Sequence, residues 1–255
     1  MIRLFLRRVR ATAGLAGFLL AAGISLPFFR RLPWRRAGDV AAWAALLWGF
    51  GLRIRCHGAP ARGGAVLHVA NHVSWVDIPL LGSQLDAGFV AKEEVRRWPG
   101  IGKAAARIGT VFVDRRNRLA AHAQASVVRQ QLSRQRGMIL FPEGTTGDGS
   151  TVLPFRSSLF AAAQHGDLDV QPVSIIYRRR DGQALEGEEC GRIAWIGDQA
   201  LLPHAIQLAR RGQLLAEIYF EPMLAGGDRK QMARDCEDVI RNRIKGLALP
   251  LRRRS

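Results

Sequence analysis

Hydrophobic residues in this chain are grouped in short runs that are separated by polar segments. The runs are rich in β-branched and aromatic residues and bordered by glycine or proline, a pattern that predicts β-strands. Several of them, such as Gly-Met-Ile-Leu-Phe, are almost continuously apolar, which is typical of parallel strands buried on both faces. The predicted strands lie at residues 64–70, 88–91, 109–113, 137–141, 170–177, 192–196 and 215–220.

The segments between these runs have the periodicity of amphipathic helices. The predicted helices lie at residues 75–84, 99–107, 117–135, 156–165, 203–211 and 229–247. Alternation of strands and helices predicts an α/β domain with a mostly parallel central sheet flanked by helices. No composition break divides residues 55–255, so we expect one domain there, ending in a basic C-terminal tail.

Residues 1–54 have a different character. Residues 11–29 contain no charge, and as a helix they would extend over about 28 Å, close to the thickness of a bilayer core. A second uncharged run at residues 40–52 is too short to span and suits a buried or interfacial helix. The first run is open to three interpretations: a signal peptide, a single-pass helix, or one member of a helical pair inserted in one leaflet. Arginines on both sides favour the pair, and we expect residues 1–54 to be membrane-associating helices.

The charge of the chain is concentrated at its two ends. The sequence has 38 Lys and Arg against 21 Asp and Glu, a formal net charge of +17. Eight arginines and no acid lie in residues 1–36, and six basic residues and no acid lie in residues 241–255. Basic ends around a nearly balanced body fit docking on an anionic membrane surface, with the cytoplasmic face of the inner membrane as the expected location. No segment resembles a base-reading module, so no nucleic-acid partner is expected.

The sequence excludes several classes of chemistry. The three cysteines, Cys56, Cys190 and Cys236, are far apart, which argues against a disulfide framework and a zinc site. The chain has no Gly-x-Ser-x-Gly, no phosphate-binding Gly-Lys-Ser/Thr loop and no His-Glu-x-x-His. Hydrolase, kinase and metalloprotease functions therefore have little support, and neither a metal nor a cofactor is expected.

The sharpest local feature is the segment Asn-His-Val-Ser-Trp-Val-Asp at residues 71–77, directly after a predicted strand. His72 can act as a base near neutral pH, and the Asp77 carboxylate can orient its ring and stabilise the imidazolium. Five positions are too many for one helix face, so the pair requires His72 in a turn and Asp77 in the first turn of a helix. Taken alone, this pair has a simpler explanation, a histidine satisfied by a local bond.

Three further segments strengthen the functional interpretation. They are Gly-Thr-Val-Phe-Val-Asp-Arg at residues 109–115, Phe-Pro-Glu-Gly-Thr-Thr at residues 141–146 and Val-Gln-Pro-Val at residues 170–173. In order and approximate spacing, the four segments resemble the motif blocks of the glycerolipid acyltransferases, the 1-acylglycerol-3-phosphate acyltransferases and related lysolipid acyltransferases. The resemblance covers roughly residues 60–220, and four blocks in order are far more specific than one. It implies that residues 55–255 form an acyltransferase domain.

The resemblance implies that a lysolipid hydroxyl attacks an acyl thioester, carried by acyl carrier protein or coenzyme A, without a covalent acyl-enzyme. His72 and Asp77 would be the catalytic residues, His72 as general base and Asp77 as its orienting group. Backbone amides near the turn, together with Gly144, would hold the developing oxyanion. The residues that the resemblance assigns to acceptor binding and to the shape of the turn are Asn71, Arg115, Glu143, Gly144, Thr145 and Arg156.

Two departures from the family pattern bear on the acceptor. Thr146 stands where the third block commonly has Arg, and Ser158 stands where a Phe-Lys-x-Gly pattern has Gly, although Arg156 keeps a basic residue there. The first expectation for the acceptor is 1-acyl-sn-glycerol-3-phosphate, giving phosphatidic acid, with Arg156 doing the work of the missing Arg. Because a lost guanidinium removes a charge-assisted bond to phosphate, the alternative is lyso-ornithine lipid, whose bacterial acyltransferases have a similar segment. A second alternative is a non-catalytic, basic membrane-binding protein.

Overall fold

The computed structural model describes residues 2–24, 35–61, 65–98, 101–113, 121–133, 137–164, 168–211 and 213–248. The strands are β1 (Leu52–His57), β2 (Val66–Ala70), β3 (Ala87–Lys92), β4 (Val111–Val113), β5 (Gly137–Leu140), β6 (Asp169–Arg179) and β7 (Leu214–Phe220). The helices are α1 (Ile2–Ile24), α2 (Arg35–Phe50), α3 (Asp77–Gln84), α4 (Glu93–Arg96), α5 (Ile101–Arg107), α6 (Ala121–Ser133), α7 (Glu188–Ile193), α8 (Leu201–Arg211) and α9 (Arg229–Ala248). A 3₁₀ helix spans Ser157–Ala163.

The strands form one sheet in the order β1-β7-β6-β2-β5-β3-β4. The five strands from β6 to β4 are parallel to one another, β7 is antiparallel to β6, and β1 is parallel to β7. The predicted α/β fold with a mostly parallel central sheet is therefore confirmed. The carboxyl ends of β2 and β5, which are neighbours, meet at one edge of the sheet, where α/β proteins usually place their reactive groups.

Both faces of the sheet are covered, which explains the continuous apolar runs of its central strands. On one face, buried residues of α2, α3 and α8 pack against β5, β6 and β7. On the other, α6, α9 and the 3₁₀ helix pack against β2, β4 and β5. All five residues of β2 are buried, and Leu67 and Val69 face the second cluster while Ala70 faces the first.

Helices α1 and α2 pack closely against each other through glycines. A Cβ atom on Gly14 would lie 2.4 Å from the Cα atom of Gly49, so neither position can carry a larger side chain without separating the helices. Helix α2 also contacts α3, where Trp43 lies against Gly82. Among the helices that the structure describes, none is both long enough and apolar enough to cross a membrane.

Two features of the sheet differ from the prediction. The strand predicted at residues 192–196 is wrong, because α7 ends at Ile193 and no strand follows it there. Two of its apolar residues are buried for another reason: Ile193 and Ala194 join the core, and the Trp195 N–H donates to the Val73 carbonyl outside the sheet. Strand β1 was not predicted, since its exposed arginines give it a polar composition that is typical of an edge strand.

Candidate active site

The turn at residues 71–77 connects β2 to α3 and carries the predicted catalytic pair. His72 lies in the turn and Asp77 is the first residue of α3, the arrangement that their spacing requires. His72 Nδ1 lies 2.8 Å from Asp77 Oδ2. The Asp77 side chain is fully buried and that of His72 is 16% exposed, so the carboxylate is shielded while the imidazole remains accessible. With its Nδ1–H donated to Asp77, the imidazole presents the lone pair of Nε2 to an incoming hydroxyl.

The Asp77 carboxylate is held by four donors. Besides His72, the backbone N–H groups of Val73 and Ser74 donate to Oδ2 at 2.7 and 2.9 Å. The Tyr177 hydroxyl, from β6, donates to Oδ1 at 2.5 Å. A buried carboxylate needs such partners to offset its lost hydration, and here they also aim Oδ2 at the imidazole.

An aromatic ring supports the imidazole from one side. Phe141, directly after β5, stacks on His72 with ring centroids 4.0 Å apart and an interplanar angle of 18°. Phe141 itself belongs to the core cluster on this face of the sheet. The stack, together with the bond to Asp77, restricts the imidazole ring to one orientation.

Glu143 connects the turn to the loop that follows β5. Its Oε1 accepts the His72 N–H at 2.7 Å, and its Oε2 accepts the Leu153 N–H at 3.0 Å. The side chain is 3% exposed. Burial raises the pKa of the Glu143 carboxyl to about 7, since the cost of desolvation exceeds the help of the two hydrogen bonds. Both carboxyl oxygens of Glu143 thus accept hydrogen bonds from the backbone of the protein.

Two more loops fix the backbone of the turn. The Gly147 N–H donates to the His72 carbonyl at 2.8 Å, and the Trp195 N–H donates to the Val73 carbonyl at 3.0 Å. The Thr146 hydroxyl donates to the Trp195 carbonyl, so the two loops are also joined to each other. Thr146, which stands where the family pattern has Arg, therefore forms a hydrogen bond to the backbone of the protein.

The remaining predicted residues have different surroundings. Asn71 is buried, and its amide exchanges two hydrogen bonds with the backbone of Ile175 in β6, at 2.9 and 2.8 Å.

Gly144 is buried in the turn after β5, where its φ of 76° favours glycine. Thr145 and Arg156 are exposed, and the Arg156 N–H donates to the Pro142 carbonyl at 3.0 Å. Arg115 lies outside the described residues.

The structure thus joins His72, Asp77 and Glu143 by hydrogen bonds and holds Asn71 on β6, while Thr145 and Arg156 lie on an exposed rim beside the turn. Sequence reasoning missed Tyr177 and Trp195, which reach the turn from β6 and from the segment after α7. Tyr177 left one indirect signal, since a tyrosine in an apolar strand needs a partner for its hydroxyl. Trp195 contributes backbone groups, which leave no signal in the sequence.

Comparison with known proteins agrees with this geometry. The model of the acyltransferase family matches residues 53–176, which include the turn and the loop after β5. A lyso-ornithine lipid O-acyltransferase of Brucella abortus is 39% identical over 78% of this chain and 79% of its own length. A protein of the same name from Pseudomonas aeruginosa is 36% identical over 99% of this chain and 98% of its own. A 1-acyl-sn-glycerol-3-phosphate acyltransferase of Neisseria gonorrhoeae is 35% identical over 49% of each chain.

Among solved structures, the 1-acyl-sn-glycerophosphate (LPA) acyltransferase PlsC from Thermotoga maritima matches 98% of both chains with a TM-score of 0.63. At 21% sequence identity this likeness shows the fold alone. The family match, by contrast, rests on relatives that align over most of their length at more than a third identity. The alternative of a non-catalytic membrane-binding protein is therefore set aside: this chain belongs to the acyltransferase family and is an acyltransferase.

Proposed function

We propose that this protein is a lyso-ornithine lipid O-acyltransferase, which transfers a fatty acyl group from an acyl thioester to the free hydroxyl of lyso-ornithine lipid. The observation that carries the proposal is the extent of the matches. Proteins named for this acceptor match 78% and 99% of the chain, whereas the relative named for 1-acyl-sn-glycerol-3-phosphate matches 49%. The motifs favoured 1-acyl-sn-glycerol-3-phosphate as the acceptor, with lyso-ornithine lipid as the alternative. On the extent of the matches we now rank lyso-ornithine lipid first.

The surroundings of Thr146 support the same acceptor. The resemblance expects at this position an Arg that would bind a phosphate, but Thr146 is neutral and its hydroxyl donates to the Trp195 carbonyl. A phosphomonoester would lose a charge-assisted bond here, which is among the strong kinds of hydrogen bond in proteins. Lyso-ornithine lipid has an amino-acid headgroup without phosphate, so it has no phosphate contact to lose at this position.

The geometry supports a direct transfer. His72 Nε2 takes the proton from the acceptor hydroxyl while the oxygen attacks the thioester carbonyl carbon, and Asp77 stabilises the resulting imidazolium. The tetrahedral intermediate then collapses with cleavage of the C–S bond, and the imidazolium returns the proton to the leaving thiol. Asn71 and Glu143, both bonded to backbone, keep the turn in place rather than bind the headgroup. The donor is acyl carrier protein or coenzyme A.

We further propose that helices α1 and α2 lie on an anionic membrane, at the cytoplasmic face of the inner membrane. Helix α1 exposes Phe5, Leu6, Val9 and Leu15, and α2 exposes Trp48. Arg8 is exposed between these apolar residues, where it would meet anionic headgroups. Such a position would bring the lysolipid to the turn from the membrane that contains it.

The experiment that tests the acceptor is an acyl-transfer assay on the full chain. Lyso-ornithine lipid and lysophosphatidic acid are offered in parallel, each with acyl carrier protein and coenzyme A thioesters, to the wild type and to His72→Ala. We expect product from lyso-ornithine lipid and a loss of at least about 100-fold in the variant, the usual effect of removing a general base. His57→Ala, which removes a histidine bonded to Glu217, should remain active and serves as the matched control.

Each other outcome overturns a defined part of the proposal. Product from lysophosphatidic acid alone would reject lyso-ornithine lipid as the acceptor. Transfer that survives His72→Ala would reject the general-base role of His72, whichever acceptor is used.

A further inference from the structure

The strand β6 holds the active-site turn at both of its ends. At the start of the turn, Asn71 exchanges two hydrogen bonds with the backbone of Ile175. At its end, Asp77 accepts the Tyr177 hydroxyl. Ile175 and Tyr177 are two residues apart and therefore point to the same face of the sheet, where both belong to the same core cluster. The segment between Asn71 and Asp77, which includes His72, is thus bonded to β6 at both of its ends.

Tyr177 shares the Asp77 carboxylate with His72. Oδ2 accepts the imidazole N–H and two backbone N–H groups, while Oδ1 accepts the phenol at 2.5 Å. A hydrogen bond from a hydroxyl to a carboxylate is short and strong, and it draws negative charge toward the oxygen that accepts it. Charge that is held at Oδ1 is not available at Oδ2 to stabilise an imidazolium.

The Tyr177 hydroxyl remains a donor at every pH at which the enzyme could work. Burial, followed by the nearby Asp77 charge, raises the pKa of Tyr177 well above its usual range. The ring is buried in the core, which fixes the direction of the hydroxyl. Its hydrogen bond to Asp77 is therefore held in place by the core.

From this geometry we propose that Tyr177 is a positioning residue for the His72–Asp77 pair: its bond to Oδ1 fixes the carboxylate and limits how strongly Asp77 stabilises protonated His72. Through Asp77, Tyr177 thereby affects how the reaction responds to pH. The inference rests on the general-base role proposed above for His72. It goes beyond that role because it gives Tyr177, a residue of β6 that lies outside the four motif segments, an influence on the pH dependence of the reaction.

The other titratable groups beside the described part of the turn must be separated from this effect. The Glu143 carboxylate accepts the His72 N–H, and Asp148 is the residue after Gly147, whose N–H donates to the His72 carbonyl. His204, on α8, accepts the indole N–H of Trp75 at 2.9 Å. None of these groups contacts the Tyr177 hydroxyl among the hydrogen bonds of the described residues. A variant that removes only this hydroxyl leaves all of them present.

The test compares Tyr177→Phe with the wild type by an NMR titration of histidine-labelled protein, with the His72 signal identified by its absence in His72→Ala. Without the phenol, more of the Asp77 charge faces the imidazole, so the titration curve of His72 should move to higher pH. The acidic limb of kcat/KM should move to higher pH by the same amount. The matched control is Tyr219→Phe, which alters the only other tyrosine of the chain, stacked on His57.

A second variant keeps the test decisive if Tyr177→Phe folds poorly. In the Tyr219→Phe background, fluorotyrosine incorporation labels Tyr177 alone and makes its hydroxyl a stronger donor. The midpoint of His72 should then fall. A midpoint that stays unchanged in both proteins, or that moves in the opposite direction, would overturn the proposal and leave Tyr177 a core residue only.

The titration also separates this proposal from the proposed function, because it needs no substrate. A shifted midpoint in a protein that does not acylate lyso-ornithine lipid would retain the role of Tyr177 and reject the acceptor. A His72-dependent activity with an unmoved midpoint would retain the acceptor and reject the role of Tyr177.

Discussion

The active-site turn and the rim beside it differ in how their polar side chains are used. In the turn, Asn71 and Asp77 are buried, and each polar atom of their side chains bonds to the protein. On the rim, Thr145 and Arg156 are exposed to solvent. If the proposed function holds, the geometry of proton transfer is built into the core, and we expect the choice of acceptor to depend on side chains that can change at little cost to the fold.

Asp77→Asn should have the largest effect, since it removes the charge of the turn and keeps its shape. The amide oxygen can still accept the bonds at Oδ2, and the amide nitrogen can donate to the Tyr177 oxygen. We expect kcat to fall by about 10²–10⁴-fold, because the imidazolium loses its counter-charge, with little change in thermal midpoint. Steady-state kinetics and thermal denaturation measure both quantities.

The matched control for this variant is Asp169→Asn. Asp169 is an exposed carboxylate at the start of β6, at the opposite edge of the sheet. Its kinetics should equal those of the wild type. A comparable loss of kcat in both variants would mean that the effect of Asp77→Asn does not come from the turn.

Glu143→Gln should change how the stability of the protein depends on pH, because it removes a buried carboxyl group that titrates. The pKa of Glu143 is raised in the folded state to about 7, so the folded protein binds this proton more tightly than the unfolded chain does. Its contribution to stability is therefore fully present below pH about 4.5 and is lost as the pH rises through about 7. The wild type should lose up to about 3 kcal/mol relative to the variant over this range.

Thermal denaturation of both proteins at several pH values measures this difference. The amide nitrogen of Gln must face one of the two backbone N–H groups that Glu143 now accepts, so the variant should be less stable at low pH and the gap should narrow as the pH rises. A gap that is constant with pH would contradict the raised pKa.

Asn71→Ala tests the contrast between turn and rim by stability alone. Removal of the amide leaves the buried N–H and carbonyl of Ile175 without partners, at a cost of about 2–4 kcal/mol. The equivalent truncation on the rim, Thr145→Ala, should change the free energy of unfolding by less than about 0.5 kcal/mol. Urea denaturation of the two variants gives the comparison directly, and equal losses would remove the distinction between the two regions.

The part of this site that depends on local spacing could be predicted from the sequence. The five-residue separation of His72 and Asp77 was enough to place one in a turn and the other at a helix start. The contacts of Tyr177 and Gly147 with the turn were out of reach, because they depend on the order of strands in the sheet and on loop paths that no local pattern encodes. The same limit applies to residues 192–196, where Ile193 and Ala194 are buried in the core without pairing in a sheet.

The smallest expected effect is at Thr146, a half-buried residue next to the rim, where Thr146→Arg introduces the residue that the family pattern commonly has. The new guanidinium would favour a phosphate over an amino-acid headgroup without phosphate, and the bond from Thr146 to the Trp195 carbonyl would be lost. We expect the ratio of kcat/KM for lysophosphatidic acid to that for lyso-ornithine lipid to rise only about threefold to tenfold, since solvent still reaches a half-buried charge pair and weakens it. Thr145→Arg places the same charge one residue away on the exposed rim, and it should change the ratio less. Equal changes in the two variants would mean that the acceptor responds to charge near the rim in general, and position 146 would then have no special part in acceptor choice.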